Sequence, residues 1–311
     1  MKRKIPQPAN PLCRDQPLPW QHRKSPNEDP ESYERIERIV KNPGYRLAEE
    51  DRGFLRRHET LGVRLQLDYL KADLLLQQNG IEHTIAVFGS TRIVEKKEAL
   101  RQLKAARKEL EADPRSAEKR RDARVAERVL DKSRYYKIAR KFGRLVGSAG
   151  KGPDDTSVTL MTGGGPGIME AANRGAFDAG AKSIGLNISL PHEQYPNPYV
   201  TPELCFQFHY FAIRKLHFLL RAKALVVFPG GFGTVDELFS VLTLIQTRKI
   251  EPMPIILVGV KYWKRVIDID FLEDEGVIDL EDRSLFWYAE DADEIWDGLL
   301  KWHKVNKTPL F

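Results

Sequence analysis

An α/β fold built on a doubly wound, mainly parallel sheet is the class this sequence predicts, and three observations predict it. Short apolar runs rich in β-branched residues recur along the chain, at 84–88 (TIAVF), 157–162 (SVTLMT), 183–188 (SIGLNI), 224–228 (ALVVF) and 254–259 (PIILVG). Each run is continuous rather than alternating, which is the pattern of strands covered on both faces. Most are followed by glycine and then by a stretch of helical spacing, as right-handed βαβ units require.

The elements follow in order. Residues 1 to about 30 hold several prolines and little periodicity, which reads as a loosely ordered arm. ESYERIERIVKN (31–42) is a short helix ending before Pro43-Gly44. The stretch 47–80 reads as one longer helix that stops at Asn79-Gly80, with Leu61, Leu65, Tyr69 and Leu70 at the spacing of a face packed on a sheet. After the 84–88 strand, the segment 95–134 carries 14 Lys/Arg against 9 Asp/Glu and few large apolar residues. It reads as two solvated helices turning at Asp113-Pro114, an insertion that interrupts the fold. An amphipathic helix over 135–148 restores the pattern, and the tail through Trp296 and Trp302 is expected to be helical and packed on the body. The domains expected are therefore an N-terminal arm and helical extension, 1–80, and one α/β domain, 81–311, with the insertion inside it.

Composition narrows the function classes. Hydrophobic residues make up 41% of 311, enough for a sizeable core, and no run approaches the ~18 apolar residues of a spanning helix. The basic start MKRKIPQPAN lacks the apolar run of a secretory signal. Cys13 and Cys205 have no metal or redox spacing, and a reducing cytoplasm is the plain expectation. The net charge of +6 comes almost wholly from the mixed-sign segment 95–134, whereas a nucleic-acid surface wants clustered, unpaired cations. Neither a nucleic-acid nor a membrane partner is expected. His192, His209 and His217 show no metal spacing, so no metal site is expected.

Ligands of open parallel sheets bind beyond the carboxyl ends of the strands. Three turns stand there: Gly89-Ser90-Thr91-Arg92, Gly163-Gly164-Gly165-Pro166-Gly167 and Gly230-Gly231-Phe232-Gly233-Thr234. A dinucleotide fingerprint counted from Gly163 needs glycine where Ile168 stands, and counted from Gly231 it needs glycine where Asp236 stands. No GxxxxGK[ST] occurs, so there is no lysine for a triphosphate. What remains is a pair of glycine-rich turns feeding helix N-termini, suited to a single phosphate, though such glycines also serve plain tight packing.

At this point the motifs resemble a known family. PGGFGTVDE (229–237) is similar to the PGGxGTxxE signature of the LOG ("Lonely Guy") family, and TGGGPGIMEAANRGA (162–176) to its second glycine-rich motif as found in longer bacterial members. Arg214-Lys215 stands 23 residues before Glu237, as the family's Arg-Lys pair stands before its signature glutamate. The similarity covers roughly 84–92 and 155–260. The resemblance implies a modified Rossmann-type fold, a homodimer without cofactor, and hydrolysis of a nucleoside 5′-monophosphate, AMP or a related purine nucleotide, to free base and ribose 5-phosphate. The N-terminal extension, the charged insertion and Glu170, where small members commonly have glycine, depart from the family's pattern.

The site residues expected from this are Glu237 and Arg214 for catalysis, with Gly89, Ser90, Arg92, Gly164, Gly165, Glu193, Lys215, Gly230, Gly231, Gly233 and Thr234 for substrate binding. Hydrolysis of an N-glycosidic bond passes through a cation-like ribosyl transition state, which a carboxylate stabilises while it positions or deprotonates water. The 5′-phosphate lies one ribose from C1′, so a glutamate one helical turn past a phosphate turn matches the substrate's dimensions. Thr234-Val235-Asp236-Glu237 also has the form of a capping box, in which Glu237 bonds back to the cap. Asp236 is read as a helix-dipole partner, and Glu170 as a cap or a contact to the ribose hydroxyls. Two other readings stand beside hydrolysis: a nucleotide or phosphate-cofactor carrier of the same fold, and a decarboxylase, which would need a lysine for a pyridoxal phosphate imine.

Overall fold

The computed structural model describes residues 12, 16–191 and 195–311. It forms two compact units, Met1–Arg64 and Leu65–Phe311. The first contains helices α1 (Ser32–Lys41) and α2 (Arg52–Leu55). α1 ends where Asn42 turns its side chain to accept from the Gly44 amide, just ahead of the ring of Pro43. The single helix expected over 47–80 is broken. Asp51 caps α2 by accepting from the Phe54 amide at 3.0 Å, and the Thr60 hydroxyl lies 2.9 Å from the carbonyls of Leu55 and Arg57. Local side-chain bonds of this kind offer the backbone an alternative to a continuous helix. The long helix α3 therefore starts only at Leu61 and runs to Gln78.

The second unit holds a seven-stranded, all-parallel sheet in the order β4-β3-β2-β1-β5-β6-β7. β1 (His83–Phe88) leads through α4 (Lys96–Ala112) and α5 (Ala117–Gly147) to β2 (Val158–Thr162). α6 (Ile168–Asp178), β3 (Ser183–Ile188), β4 (Cys205–Phe208) and α7 (Phe211–Leu220) follow. β5 (Ala222–Val227), α8 (Phe232–Gln246), β6 (Ile255–Val258), α9 (Val260–Val266) and α10 (Ile269–Asp274) lead to β7 (Trp287–Ala289) and α11 (Ala292–Val305). Successive residues of β1 feed opposite cores: Ile85 and Val87 pack with α5, α6 and α11, while Ala86 and Phe88 pack with α3, α7 and α8. That two-sided burial is why the strands read as unbroken apolar runs.

The compact unit begins at Leu65, ahead of the expected boundary at 80, because Ala72 and Leu76 of α3 are members of its core. The deepest residues of that helix are these two, with Leu65, Tyr69 and Leu70 only half-buried. Asp113 and Pro114 do separate two helices, and Ser116 caps the second by accepting from the Lys119 amide at 3.2 Å. The helix expected over 135–148 is not separate, however. α5 runs unbroken for 31 residues, since nothing between Glu127 and Ile138 interrupts a helix. Its first half buries only Ala123 and Ala126, whereas Tyr135, Tyr136, Ala139, Phe142 and Val146 of its second half are core. β4 and β7, the two edge strands, have four and three residues and carry no glycine-to-helix signature, which hid them in the sequence. The tail helix α11 is capped by Asp291 and buries Ile295 and Leu299, with Trp296 edge-on to Phe142 at 6.4 Å.

Candidate active site

The winding reverses between β1 and β5. From β1 the chain moves outward through β2, β3 and β4, and from β5 it moves the other way through β6 and β7. Two neighbouring strands whose following loops diverge leave a crevice at their carboxyl ends, the usual ligand position of such sheets. A cleft of about 420 Å³ lies there, within the range of small-molecule sites.

Its walls come from three segments. The loop after β1 supplies Gly89, Ser90, Thr91 and Arg92, and it is stitched to both neighbouring turns. The Ser90 amide donates to the Pro229 carbonyl at 3.0 Å, and the Ser90 carbonyl accepts from the Ile168 amide at 3.1 Å. Gly167 makes the second contact feasible: it sits at φ +75°, and a Cβ there would lie 2.4 Å from the Ser90 carbonyl oxygen. The turn after β2 and the start of α6 supply Gly163 and Met169.

The third wall is the N-terminus of α8, with Gly231, Gly233, Thr234 and Glu237. The Gly231 carbonyl accepts from the amides of Thr234 and Val235, both at 3.0 Å, so the helix begins there and its first amides face outward. Gly231 is the cap residue and Thr234 lies inside the first turn, so Thr234 and Glu237 do not form a capping box. A Cβ added at Gly231 or Gly233 would meet nothing within 4 Å. Neither position is glycine to relieve a contact within the protein. Their bareness leaves the positive end of the helix dipole open to the cleft.

Glu237, one turn further, is 4% exposed. Burial pushes its carboxyl above the ordinary value of 4.5, against the opposing pull of Lys215 and Arg214. Arg214 faces it from α7, Nη2 to Oε1 at 3.7 Å. Its guanidinium is held over the rings of Phe211 and Phe218, at 5.0 and 5.7 Å. Burial also depresses the Arg214 pKa, and its Nε is buried with no hydrogen-bond partner. Both charged forms are therefore disfavoured by burial more than they are stabilised by each other, which fits a pair too far apart for a hydrogen bond. An orphaned donor of this kind costs about 1–3 kcal/mol, which an anionic ligand would recover.

Several expected residues lie off the cleft wall. Lys215 turns away, its Nζ donating to Asp236 at 2.8 Å and to the Ser240 hydroxyl at 2.9 Å. Gly230 is buried behind the turn, its carbonyl accepting from the Tyr262 hydroxyl at 2.6 Å. Gly164 and Gly165 are buried in the second glycine turn, where Asn197 donates from its backbone to the Gly164 carbonyl and from its side chain to that of Gly165. Glu193 and His192 lie outside the described residues. Glu170 is not a cap: it accepts from the Tyr136 hydroxyl at 2.7 Å, and Gly167 is the cap residue of α6.

Phe88, Met169 and Phe218 line the cleft without having been expected there, and Thr91 and Gly163 are named in the sequence reading only as members of the candidate turns. The sequence reading also missed the buried network that fixes the second turn. The Thr162 hydroxyl donates to Asn173 Oδ1 at 2.7 Å and accepts from the Gly164 amide, and Asn173 Nδ2 donates to Ser183. The AANRG stretch was the available signal, an asparagine on the apolar side of a helix. Among the described residues no three His, Cys, Asp or Glu side chains are grouped to hold a metal ion.

Comparison with known proteins bears on the same segments. Residues 169–299 match the family model described as "Possible lysine decarboxylase". A rice (Oryza sativa subsp. japonica) protein, probable cytokinin riboside 5′-monophosphate phosphoribohydrolase LOG4, is 28% identical over 151 residues, 47% of this chain and 64% of its own. The Arabidopsis thaliana cytokinin riboside 5′-monophosphate phosphoribohydrolase LOG1 is 29% identical over 145 residues, 45% and 66% of the two chains. The pyrimidine/purine nucleotide 5′-monophosphate nucleosidase of Escherichia coli K12 is 30% identical over 137 residues, 40% of this chain and 28% of its own. The matches thus span just under two thirds of these plant relatives and less than a third of the bacterial one. Among solved structures, one titled TM1055 aligns with a TM-score of 0.41 at 17% identity, over 70% of this chain and 99% of its own. The fold rests on the strand order above and not on that alignment.

Proposed function

We propose that this chain, a relative of the LOG family, is a phosphoribohydrolase that cleaves a purine nucleoside 5′-monophosphate, AMP or an N6-modified relative, to free base and ribose 5-phosphate. The observation that carries the reading is the placement of a buried carboxylate, Glu237, beside Arg214 in the same cleft as the bare N-terminus of α8. A 5′-phosphate received by the first amides of α8 puts the ribose along the second turn of that helix, where Glu237 stands. As the bond from C1′ to the base breaks, positive charge grows on the ribose and the Glu237 carboxylate stabilises it. The same carboxylate orients the water that attacks C1′ and takes its proton, while the base leaves with the bond's electron pair. The base becomes neutral by taking up a proton, so that water's OH ends on C1′ and the equivalent of its H on the base. Arg214, with an unpartnered Nε, holds the phosphate or the departing base. Phe88 and Phe218, packed edge to face at 4.6 Å, and Met169 give the cleft an apolar side for the base.

Decarboxylation through pyridoxal phosphate fits these residues poorly. Among the described residues no lysine lines the cleft, and Lys215 is committed to Asp236 and Ser240. The test is to incubate the protein with a panel of nucleoside 5′-monophosphates and separate the products by chromatography. Equal amounts of base and ribose 5-phosphate support hydrolysis. Tight nucleotide binding without either product would instead make the protein a carrier.

A further inference from the structure

A second cavity, of about 470 Å³, opens between α5 and α9. Its lining includes Arg128, Lys132 and Arg134 from α5 and Lys261 and Arg265 from α9, against one acid, Asp131. Arg134 is already engaged: it donates to the Tyr135 hydroxyl at 2.8 Å and lies 3.8 Å from Glu290. Among the described residues, the other four cations have no carboxylate within 4.0 Å. Further along α5, by contrast, Arg140 pairs with Asp178 and Lys141 with Asp293. Lys132 donates to the Arg128 carbonyl at 3.3 Å, and its pKa is lowered by burial and by the Arg128 charge beside it, against the opposing pull of Asp131. Such an arrangement is stabilised by a ligand of opposite charge.

We propose that this cavity is a binding site for an oligophosphate, a chain of two or more phosphates either free or carried on a nucleoside. Two helices supply cations from opposite walls, so a linear anion reaches both sets at once, whereas a single phosphate reaches fewer of them. A long polyanion such as nucleic acid suits the surface less well, since the segment 95–134 leading into the cavity scatters 9 acids among its cations. The site is physically joined to the catalytic cleft. Tyr262, on the cavity wall, donates a hydrogen bond from its hydroxyl to the carbonyl of Gly230 in the glycine turn before α8.

Titration calorimetry with tripolyphosphate, orthophosphate and ATP tests the proposal without any turnover. Wild type should bind tripolyphosphate at least tenfold more tightly than orthophosphate, and should bind it more weakly as salt is raised from 0.05 to 0.3 M (the Debye length falls below about 10 Å across that range). Arg128→Ser/Lys132→Ser and Lys261→Ser/Arg265→Ser, from the two walls, should each weaken binding about tenfold or more. Arg128, Lys261 and Arg265 are exposed, and melting curves check that each pair leaves the fold intact. ATP binding tighter than tripolyphosphate assigns the nucleoside-borne form, and weaker binding the free one. Failure of wild type to bind either overturns the proposal, as does undiminished binding by both double variants, or loss on Arg214→Ala in their place.

Discussion

Glu237 and Arg214 present an electrostatic contradiction that a substrate would resolve. Burial acts against the charge on each, and the 3.7 Å between them is too long for the hydrogen bond that would offset it. In the proposed mechanism the active form of Glu237 is the carboxylate, so a raised pKa means that activity is lost on the acid side at a higher pH than for an ordinary glutamate. The acid limb of kcat/KM should lie above 4.5. Lys215, off the cleft wall, is one of the charges holding that pKa down, so Lys215→Met should move the limb further up while leaving the cleft lining intact. A pH-rate profile with a limb at or below the ordinary value, unmoved by the variant, would contradict the assignment. Arg214→Met should cost about 10²–10³-fold in turnover if its guanidinium meets charge developing in the transition state. A rise in KM with kcat unchanged would reduce Arg214 to a binding residue. The residues alone favour a capping box at Glu237, and the Arg214 spacing that the family resemblance supplies turns the reading toward catalysis. The position of Gly231 as the cap residue, which sets where the helix begins, then removes the capping box.

At the scale of elements, glycine serves two opposite purposes, and the sequence cannot tell them apart. Where α5 crosses α6, a Cβ on Gly175 would lie 2.0 Å from the Arg140 carbonyl oxygen, and one on Gly143 would lie 2.1 Å from that of Ala172. These glycines let two helix backbones touch. Gly175→Ala should therefore lower stability by about 1–3 kcal/mol, read as an earlier urea midpoint. Gly233 faces open space, so Gly233→Ala should leave that midpoint within about 0.5 kcal/mol of wild type. It should nevertheless weaken nucleotide binding about tenfold by obstructing the helix end. Equal stability losses in the two variants would mean that the turn before α8 is packing after all. The βαβ rhythm and the three loops at the cleft were legible because strand burial and tight turns impose unmistakable residue types. The break at 51–60 and the continuity of α5 were not, since side-chain-to-backbone bonds at Asp51 and Thr60 leave little trace in periodicity.

For the whole molecule, strand order decides where chemistry sits. Placing β1 beside β5 brings loops some 140 residues apart in the chain to one crevice, a juxtaposition that no local pattern records and that only the rule for ligand sites in open parallel sheets anticipated. Among the described residues no member of either core precedes Ala72. A chain lacking residues 1–60 should accordingly unfold cooperatively with a melting temperature close to that of the full protein. A broad, low-temperature transition would show that the fold depends on the removed part. The central claim is that Glu237 acts on the ribose of a bound nucleotide, and one comparison addresses it most directly. Single-turnover release of base from AMP is measured for wild type and Glu237→Gln, with AMP affinity measured alongside by calorimetry. The account predicts that the amide variant binds AMP within about threefold of wild type while its release rate falls by about 10²–10⁴-fold. Release by the variant at the wild-type rate would contradict it.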